Sequence, residues 1–396
     1  MRHQSYLNTA TRIIESYKGE EPLAVYLKKY FSANKKYGSK DRRQIATLCY
    51  DYYRLGKAIS GNTQEDILTG VFLSEPLYND VIAKFKPDWA AEITKPVVEK
   101  IKFLQFPVQK IFPLKAELTA AVHHKYFCES FFKQPKLFLR IRPNKKNIVV
   151  QKIQKAKIPL SLIDEESISL SNATKLDDII DADKEAVIQD YNSQQVFNFL
   201  KNFEFGKKPI TAWDCCAASG GKSILLHDVL KKNVELTVSD IRLSILMNLH
   251  QRFIKAGIKN YNYFIADLST SAFNFPELLA KGTQQDLPSN QYQIIVCDAP
   301  CTGSGTWSRT PESLSYFKTA QIDEYAERQK NIVTNVMPYL QTEGLFFYIT
   351  CSVFKKENED VVHFIKEKFQ MQLLHMELLK GYDKKADSMF VAVLKK

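Results

Sequence analysis

Apolar side chains in the first third of the chain recur at the three-to-four-residue spacing of helices that bury one face. Leu7, Ile13, Ile14, Leu23, Val25, Leu27 and Phe31 form the first such stretch, broken at Gly19 and Pro22, where one helix gives way to another. Lys35 to Arg43 supplies a basic turn, and Ser39 is the expected N-cap of a helix carrying Ile45, Leu48, Cys49, Tyr52 and Leu55 on one face. Further amphipathic segments run over 64–85 and 88–104, and 114–133 is rich in aromatic residues. The period changes near residue 135. Leu137 to Arg142 alternates like a strand, 147–156 reads as a short helix, and 158–163 and 167–170 alternate again. This predicts a small α+β module with arginines on its leading strand.

From about residue 208 strands and helices alternate. Strands are expected over 210–215, 234–239, 261–266, 293–297 and 345–350, and helices over 222–232, 242–256, 321–340 and 358–369. The stretch after 266 reads as a loop, and 370–379 with 389–394 as a closing β-hairpin. Near-apolar strands separated by helices pack as a parallel sheet covered on both faces. The expected fold class is therefore α/β: a doubly wound, mostly parallel sheet at 201–396, preceded by an all-helical domain at 1–134 and the α+β module at 135–200. No internal repeat is visible.

Charge sharpens this division. The 396 residues carry a net +11, but residues 1–160 hold 29 Lys and Arg against 14 Asp and Glu, a net of +15, and the remainder carries −4. A basic front half on a near-neutral back half suits a polyanion docked by one region and processed by another. Fourteen glycines and fifteen prolines are too few for a fibrous or low-complexity chain. No apolar run is long enough to span a membrane, and the first residues lack the apolar core of a signal peptide. Seven cysteines without a C-x-x-C pair argue against a disulfide scaffold or a zinc ribbon. A reduced, cytoplasmic protein without a metal is expected.

The candidate chemistry lies at the carboxyl ends of the predicted strands, where open α/β sheets bind ligands. The first strand runs into Asp214, Cys215, Cys216, Ala217, Ala218, Ser219, Gly220, Gly221 and Lys222. Small residues and glycines there let a ligand approach the backbone and a helix N-terminus. The turn is neither a phosphate-binding P-loop nor a dinucleotide fingerprint. The second strand ends at Asp240, placed for ribose hydroxyls, and the third at Asp267. Either acid could instead cap a following helix. The fourth strand ends in Cys297, Asp298, Ala299, Pro300, Cys301, Thr302 and Gly303, and the fifth in Thr350, Cys351 and Ser352. If those strands are neighbours, their ends are about 5 Å apart and two thiols converge on one pocket. Cys215 and Cys297 read as core, as do Cys49 and Cys128, and Cys216 as contributing its backbone. A structural or redox pair is the competing reading of Cys301 and Cys351.

These motifs, in this order, resemble the Sun/Fmu/RsmB family of RNA 5-methylcytosine methyltransferases. The likeness extends to Gln189–Ser193 before the sheet, Trp307–Glu312 after the first cysteine and Glu357–Glu359 after the second. Residues 1–75 resemble the NusB-like domain of such proteins, and 135–200 their small RNA-binding subdomain. Ser219 stands where the family has proline and Thr302 where it has serine; Ser219 is expected to loosen the turn. The resemblance implies a Rossmann-like methyltransferase fold and a chain acting as a monomer with S-adenosyl-L-methionine on RNA, ribosomal RNA before transfer RNA. It implies Cys351 as nucleophile, Cys301 in breakdown of the covalent adduct, Asp298 on the cytosine amine and ring nitrogen, and Lys222 supporting both. Cys216 to Lys222 would line the methionine half of the cofactor, with Asp298 alongside. Asp240 would hold its ribose and Asp267 its adenine edge.

The competing classes fit less well. Methyltransferases acting on an exocyclic amine place Asp or Asn, two prolines and an aromatic residue where this chain has Asp298, Ala299, Pro300 and Cys301. DNA cytosine methyltransferases need no thiol on the fifth strand. A non-catalytic ribosome-assembly scaffold has no use for intact thiols and acids.

Overall fold

The computed structural model describes residues 2–203, 206, 208–270 and 291–396. The stretch 271–290, most of the loop expected after the third strand, lies outside the described residues. The chain divides into two compact units, one of Met1–Pro135 with Thr306–Thr319, the other of Lys136–Gly305 with Ala320–Lys396. Among the described residues, no helix is long and apolar enough to cross a membrane.

The first unit is helical, as its periodicity requires. Helices α1 (Arg2–Ser16), α2 (Leu23–Ala33), α3 (Ser39–Tyr53) and α4 (Thr63–Ser74) bury Leu7, Ile13, Ile14, Leu23, Leu27, Phe31, Ile45, Leu48, Cys49, Ile67 and Val71. Ser39 is not the N-cap of α3. Gly38 takes that place, because Asp41, one turn into the helix, reaches back to accept its N–H at 3.1 Å. The basic turn leaves Lys35, Lys36, Lys40, Arg42 and Arg43 exposed. Residues 306–319, expected in the sheet domain, count with the helices instead. Trp307 is buried, its ring 6.0 Å from Phe112 and 4.8 Å from Phe317, and Glu312 accepts the Leu23 N–H at 3.1 Å.

The second unit opens with a four-stranded antiparallel sheet of order β2-β3-β1-β4, from β1 (Leu137–Ile141), β2 (Ser161–Leu162), β3 (Ser167–Leu170) and β4 (Ala186–Ile188). Leu139, Ile141, Ile168 and Leu170 pack there against Val149 and Ile153 of the helix Lys146–Lys155. Strand β2 is shorter than its apolar run because Pro159 has no N–H for a ladder. The arginines of β1 point inward. Arg140 and Arg142 are 3% and 6% exposed, and both bond Asp228, at 2.6 and 2.8 Å, on the helix Gly221–Val229. Burial would lift the Asp228 carboxyl, but His227 Nδ1, 3.9 Å away, and the two guanidiniums hold it down, at about 2.

The larger sheet has the order β10-β11-β9-β8-β5-β6-β7 among the described residues. Strands β5 (Ile210–Asp214), β6 (Val234–Asp240), β7 (Tyr261–Ile265), β8 (Tyr292–Asp298) and β9 (Leu340–Thr350) are parallel. The hairpin of β10 (Gln372–Leu379) and β11 (Met389–Lys395) closes the sheet, β11 antiparallel to β9. The helix Ala320–Val336 stops short of its expected end because Pro338 follows, so β9 begins early, at Leu340. The sheet's order reverses between β5 and β8, and such a switch point opens a crevice outside the strand ends.

Candidate active site

The turn after β5 is built for close approach. Gly220 has φ +83°, and a Cβ there would meet Leu249 and Phe253 at 2.9 Å. Ala218 also has positive φ, and its N–H bonds Asp240 Oδ2 at 3.1 Å. Asp240 is 8% exposed, and its other oxygen accepts from the Arg242 N–H at 3.0 Å. Ser219 does not leave the turn loose. Arg252, anchored on Asp183, donates at 3.0 Å to both the carbonyl and the hydroxyl of Ser219, and a proline could offer only the carbonyl. Asp267 is half-buried, and one oxygen takes the N–H and hydroxyl of Ser269 in a local turn.

Lys222, in the first turn of its helix, reaches Asp298 at the end of β8, with Nζ 2.6 Å from Oδ2. Burial pushes the Lys222 ammonium down, but the Asp298 carboxylate outweighs it and lifts the pKa above its ordinary value. Beneath the pair, Asp214 is fully enclosed. Ser223 donates to one of its oxygens at 2.6 Å, the other has no partner, and burial pushes the carboxyl up to about 7.

Strands β8 and β9 are neighbours, and their cysteines meet. Cys301 and Cys351 are both half-buried, with sulfurs 3.2 Å apart, and the Cys351 N–H donates to the Cys301 sulfur at 3.3 Å. The hydrogen bond with Cys351, and then burial, pushes the Cys301 thiol well above the usual cysteine range. Gly305 makes this fit possible. A Cβ there would lie 2.3 Å from the Ser388 carbonyl and 2.9 Å from that of Cys351.

Two features were not anticipated. Glu357, fully buried, bonds residues beside both cysteines, and Gln329 on the helix Ala320–Val336 joins it. Glu357 stands six residues past Cys351 in the motif, but nothing in the sequence points Gln329, 28 residues away, at it. The sulfurs of Cys215, Cys216 and Cys297 also gather within 4.8 Å of one another. Cys215 and Cys297 are core, as expected, and burial pushes the Cys215 thiol up. The three offer a soft cation three thiol ligands, one short of a structural zinc site.

The switch point, the glycine turn and the acids at the ends of β6 and β8 define a Rossmann-like methyltransferase fold. Residues 207–394 match the model of the 16S rRNA methyltransferase RsmB/F family. A ribosomal RNA small subunit methyltransferase F of Vibrio parahaemolyticus is 29% identical over 156 residues, 39% of this chain and 30% of that protein. A probable ribosomal RNA small subunit methyltransferase B of Bacillus subtilis is 30% identical over 185 residues, 46% of this chain and 38% of its own. The chain thus spans about a third of the length of these relatives. Among solved structures, PH0851 shares the fold over 100% of this chain and 98% of its own, with TM-score 0.69 and 17% identity. NSun6 from Pyrococcus horikoshii, solved with SFG, shares it over 69% and 94%, with TM-score 0.57 and 13% identity.

Proposed function

We propose that this protein is an RNA cytosine-5 methyltransferase using S-adenosylmethionine, with small-subunit ribosomal RNA as its substrate class. The observation that carries the reading is the pair of thiols 3.2 Å apart beside the Lys222–Asp298 ion pair. Carbon 5 of cytosine is a poor nucleophile until a thiolate adds to carbon 6, and one thiol suffices for that addition. A second thiol has work only when the adduct breaks down. The family match of 207–394 and the names of the relatives support RNA as the substrate.

The cofactor's demands fit the residues present. The turn at 216–221 is built of small residues, with Gly220 in a left-handed backbone conformation, and Asp240 keeps acceptor capacity beyond its bonds to the N–H groups of Ala218 and Arg242 and the Arg242 guanidinium. When bound, S-adenosylmethionine supplies an electrophilic methyl. The chain's residues prepare the base for it. Cys351 adds as thiolate to carbon 6, forming the C–S bond and opening the 5,6 double bond. Asp298 accepts from the exocyclic amine and relays a proton from the Lys222 ammonium to the ring nitrogen as charge accumulates there, and the nitrogen returns it on elimination. After methylation the proton on carbon 5 leaves to solvent, the 5,6 double bond re-forms and the C–S bond breaks. Cys301, held as a thiol, donates its S–H to the departing Cys351 thiolate.

Bisulfite sequencing of ribosomal RNA from cells with and without the gene should show one protected cytosine lost. On denaturing gels, Cys351→Ala should release its RNA freely, whereas Cys301→Ala should accumulate a covalent protein–RNA species. The reverse pattern would exchange the two roles, and trapping by neither would remove the covalent mechanism.

A further inference from the structure

The two cysteine loops share an anchor that the chemistry above does not use. Glu357 is completely buried, and its carboxylate accepts four hydrogen bonds, all from neutral groups. Oε2 takes the Thr302 N–H at 2.9 Å and the Gln329 amide at 3.0 Å; Oε1 takes the hydroxyls of Thr302 at 2.6 Å and Ser352 at 2.5 Å. Thr302 directly follows Cys301, and Ser352 directly follows Cys351. Gln329 extends the lattice to the carbonyl of Pro300, on the other side of Cys301, at 3.1 Å. Taking a carboxylate out of water is costly, and burial pushes this one up. Four convergent donors from both loops are what the site gains in return.

We propose that Glu357 is a positioning residue that fixes the spacing of the two thiols by binding the residue after each. The inference rests on the covalent reading above and adds a role that reading does not contain. The anchor acts unequally on its two sides. Cys351 closes β9, an interior strand, and Asn358 holds its turn separately, accepting from Thr350 Oγ1 at 2.6 Å and donating to the Ser352 carbonyl at 2.9 Å. Thr302, by contrast, gives both its N–H and its hydroxyl to Glu357. Loss of the carboxylate therefore displaces Cys301 more than Cys351. Attack on carbon 6 survives while elimination slows.

The test uses the full chain with S-adenosylmethionine and an unmodified small-subunit rRNA transcript. Glu357→Ala should lower turnover about 100-fold, the effect of an ångström-scale misplacement, and should accumulate the same gel-stable protein–RNA species as Cys301→Ala. Glu357→Gln should restore turnover to within several-fold of wild type without accumulation. A glutamine oxygen can accept the two N–H donors while its amide donates to the two hydroxyls, which accept equally well. A residue that merely stabilised the fold would lower the melting temperature and the rate with no adduct. If Cys301→Ala traps RNA and Glu357→Ala does not, or if Glu357→Gln traps as the alanine does, the positioning role is overturned and the covalent reading stands. If neither cysteine variant traps, the covalent reading fails and the positioning role falls with it; if only Cys351→Ala traps, the two roles exchange and the elimination-specific effect assigned to Glu357 is overturned. Should Glu357→Ala fail to fold, Thr302→Val removes one hydroxyl alone and should accumulate adduct in part; a clean turnover by that variant would overturn the proposal.

Discussion

At the scale of single residues the site is a set of charges and thiols whose neighbours decide what each can do. Lys222 and Asp298 are a half-buried pair, so removing either partner alters the other. Asp298→Asn should lower turnover by about 100-fold or more, the range for loss of a positioned proton-transfer group, and change cofactor affinity little; single-turnover kinetics beside calorimetry separates the two. On the function proposed above Asp240 would have two tasks: it would take the ribose hydroxyls, and it already holds the Ala218 N–H in a backbone conformation that alanine rarely adopts. Asp240→Ala should weaken S-adenosylmethionine binding by about 1.5–3 kcal/mol, read by calorimetry. An unchanged affinity would leave Asp240 with the turn alone.

Between elements, buried ions tie strands to helices. Asp228 receives Arg140 and Arg142 across the junction of β1 and the helix Gly221–Val229. Asp228→Ala should destabilise the protein by about 3–5 kcal/mol, because two guanidiniums would stay buried without their anion; chemical denaturation measures it. Asp51 on α3 behaves oppositely. Burial pushes its carboxyl up to about 8, with Arg54 at 3.8 Å opposing, and one oxygen has no partner. The folded chain thus keeps a proton that the unfolded chain loses near pH 3.8. This contribution to stability is complete below pH 3.8 and declines as pH rises towards 8, by at most about 1.4 kcal/mol per unit. Thermal melts at pH 5 and pH 8 should differ less for Asp51→Asn than for wild type. These ion pairs mark the limit of what the sequence discloses. Periodicity foretells β5 to β9, because strands buried on both faces are mostly apolar; β7 is the exception, at the edge of the sheet among the described residues with Tyr263 and Ile265 exposed. It places Cys301 and Cys351 just past the ends of two such strands but leaves open whether those strands are neighbours, which the pairing of β8 with β9 settles. It does not show that the arginines of β1 turn inward, since alternation gives two faces without saying which meets a helix 86 residues away. Nor does it find Gln329, whose partners, Pro300, Glu357 and Tyr348, lie in two loops and a strand that only the folded sheet brings together.

On the function proposed above, the asymmetry of charge across the whole molecule is the guide to where RNA would be held. The module at 136–200 contributes less than its arginines suggest, because Arg140 and Arg142 are neutralised by Asp228 rather than presented to solvent. A fragment starting near residue 200 would strip Asp228 of both partners, so docking is better tested on the full chain. Five exposed cations of the first unit, Lys35, Lys36, Lys40, Arg42 and Arg43, cluster around the start of α3. A phosphate backbone meeting that cluster would release counterions, and binding would weaken steeply with salt. Replacing Lys35, Lys40 and Arg43 together by Gln should weaken RNA binding at low salt and flatten the plot of log affinity against log salt by roughly 0.7–0.9 for each phosphate left unneutralised. Single-turnover methylation at saturating RNA should be unchanged, since none of the three lies in the second unit, where the thiols are. Filter binding across a salt series gives the slope. A triple variant with the wild-type slope would move the docking surface off this cluster and onto the remaining basic residues of the first 160.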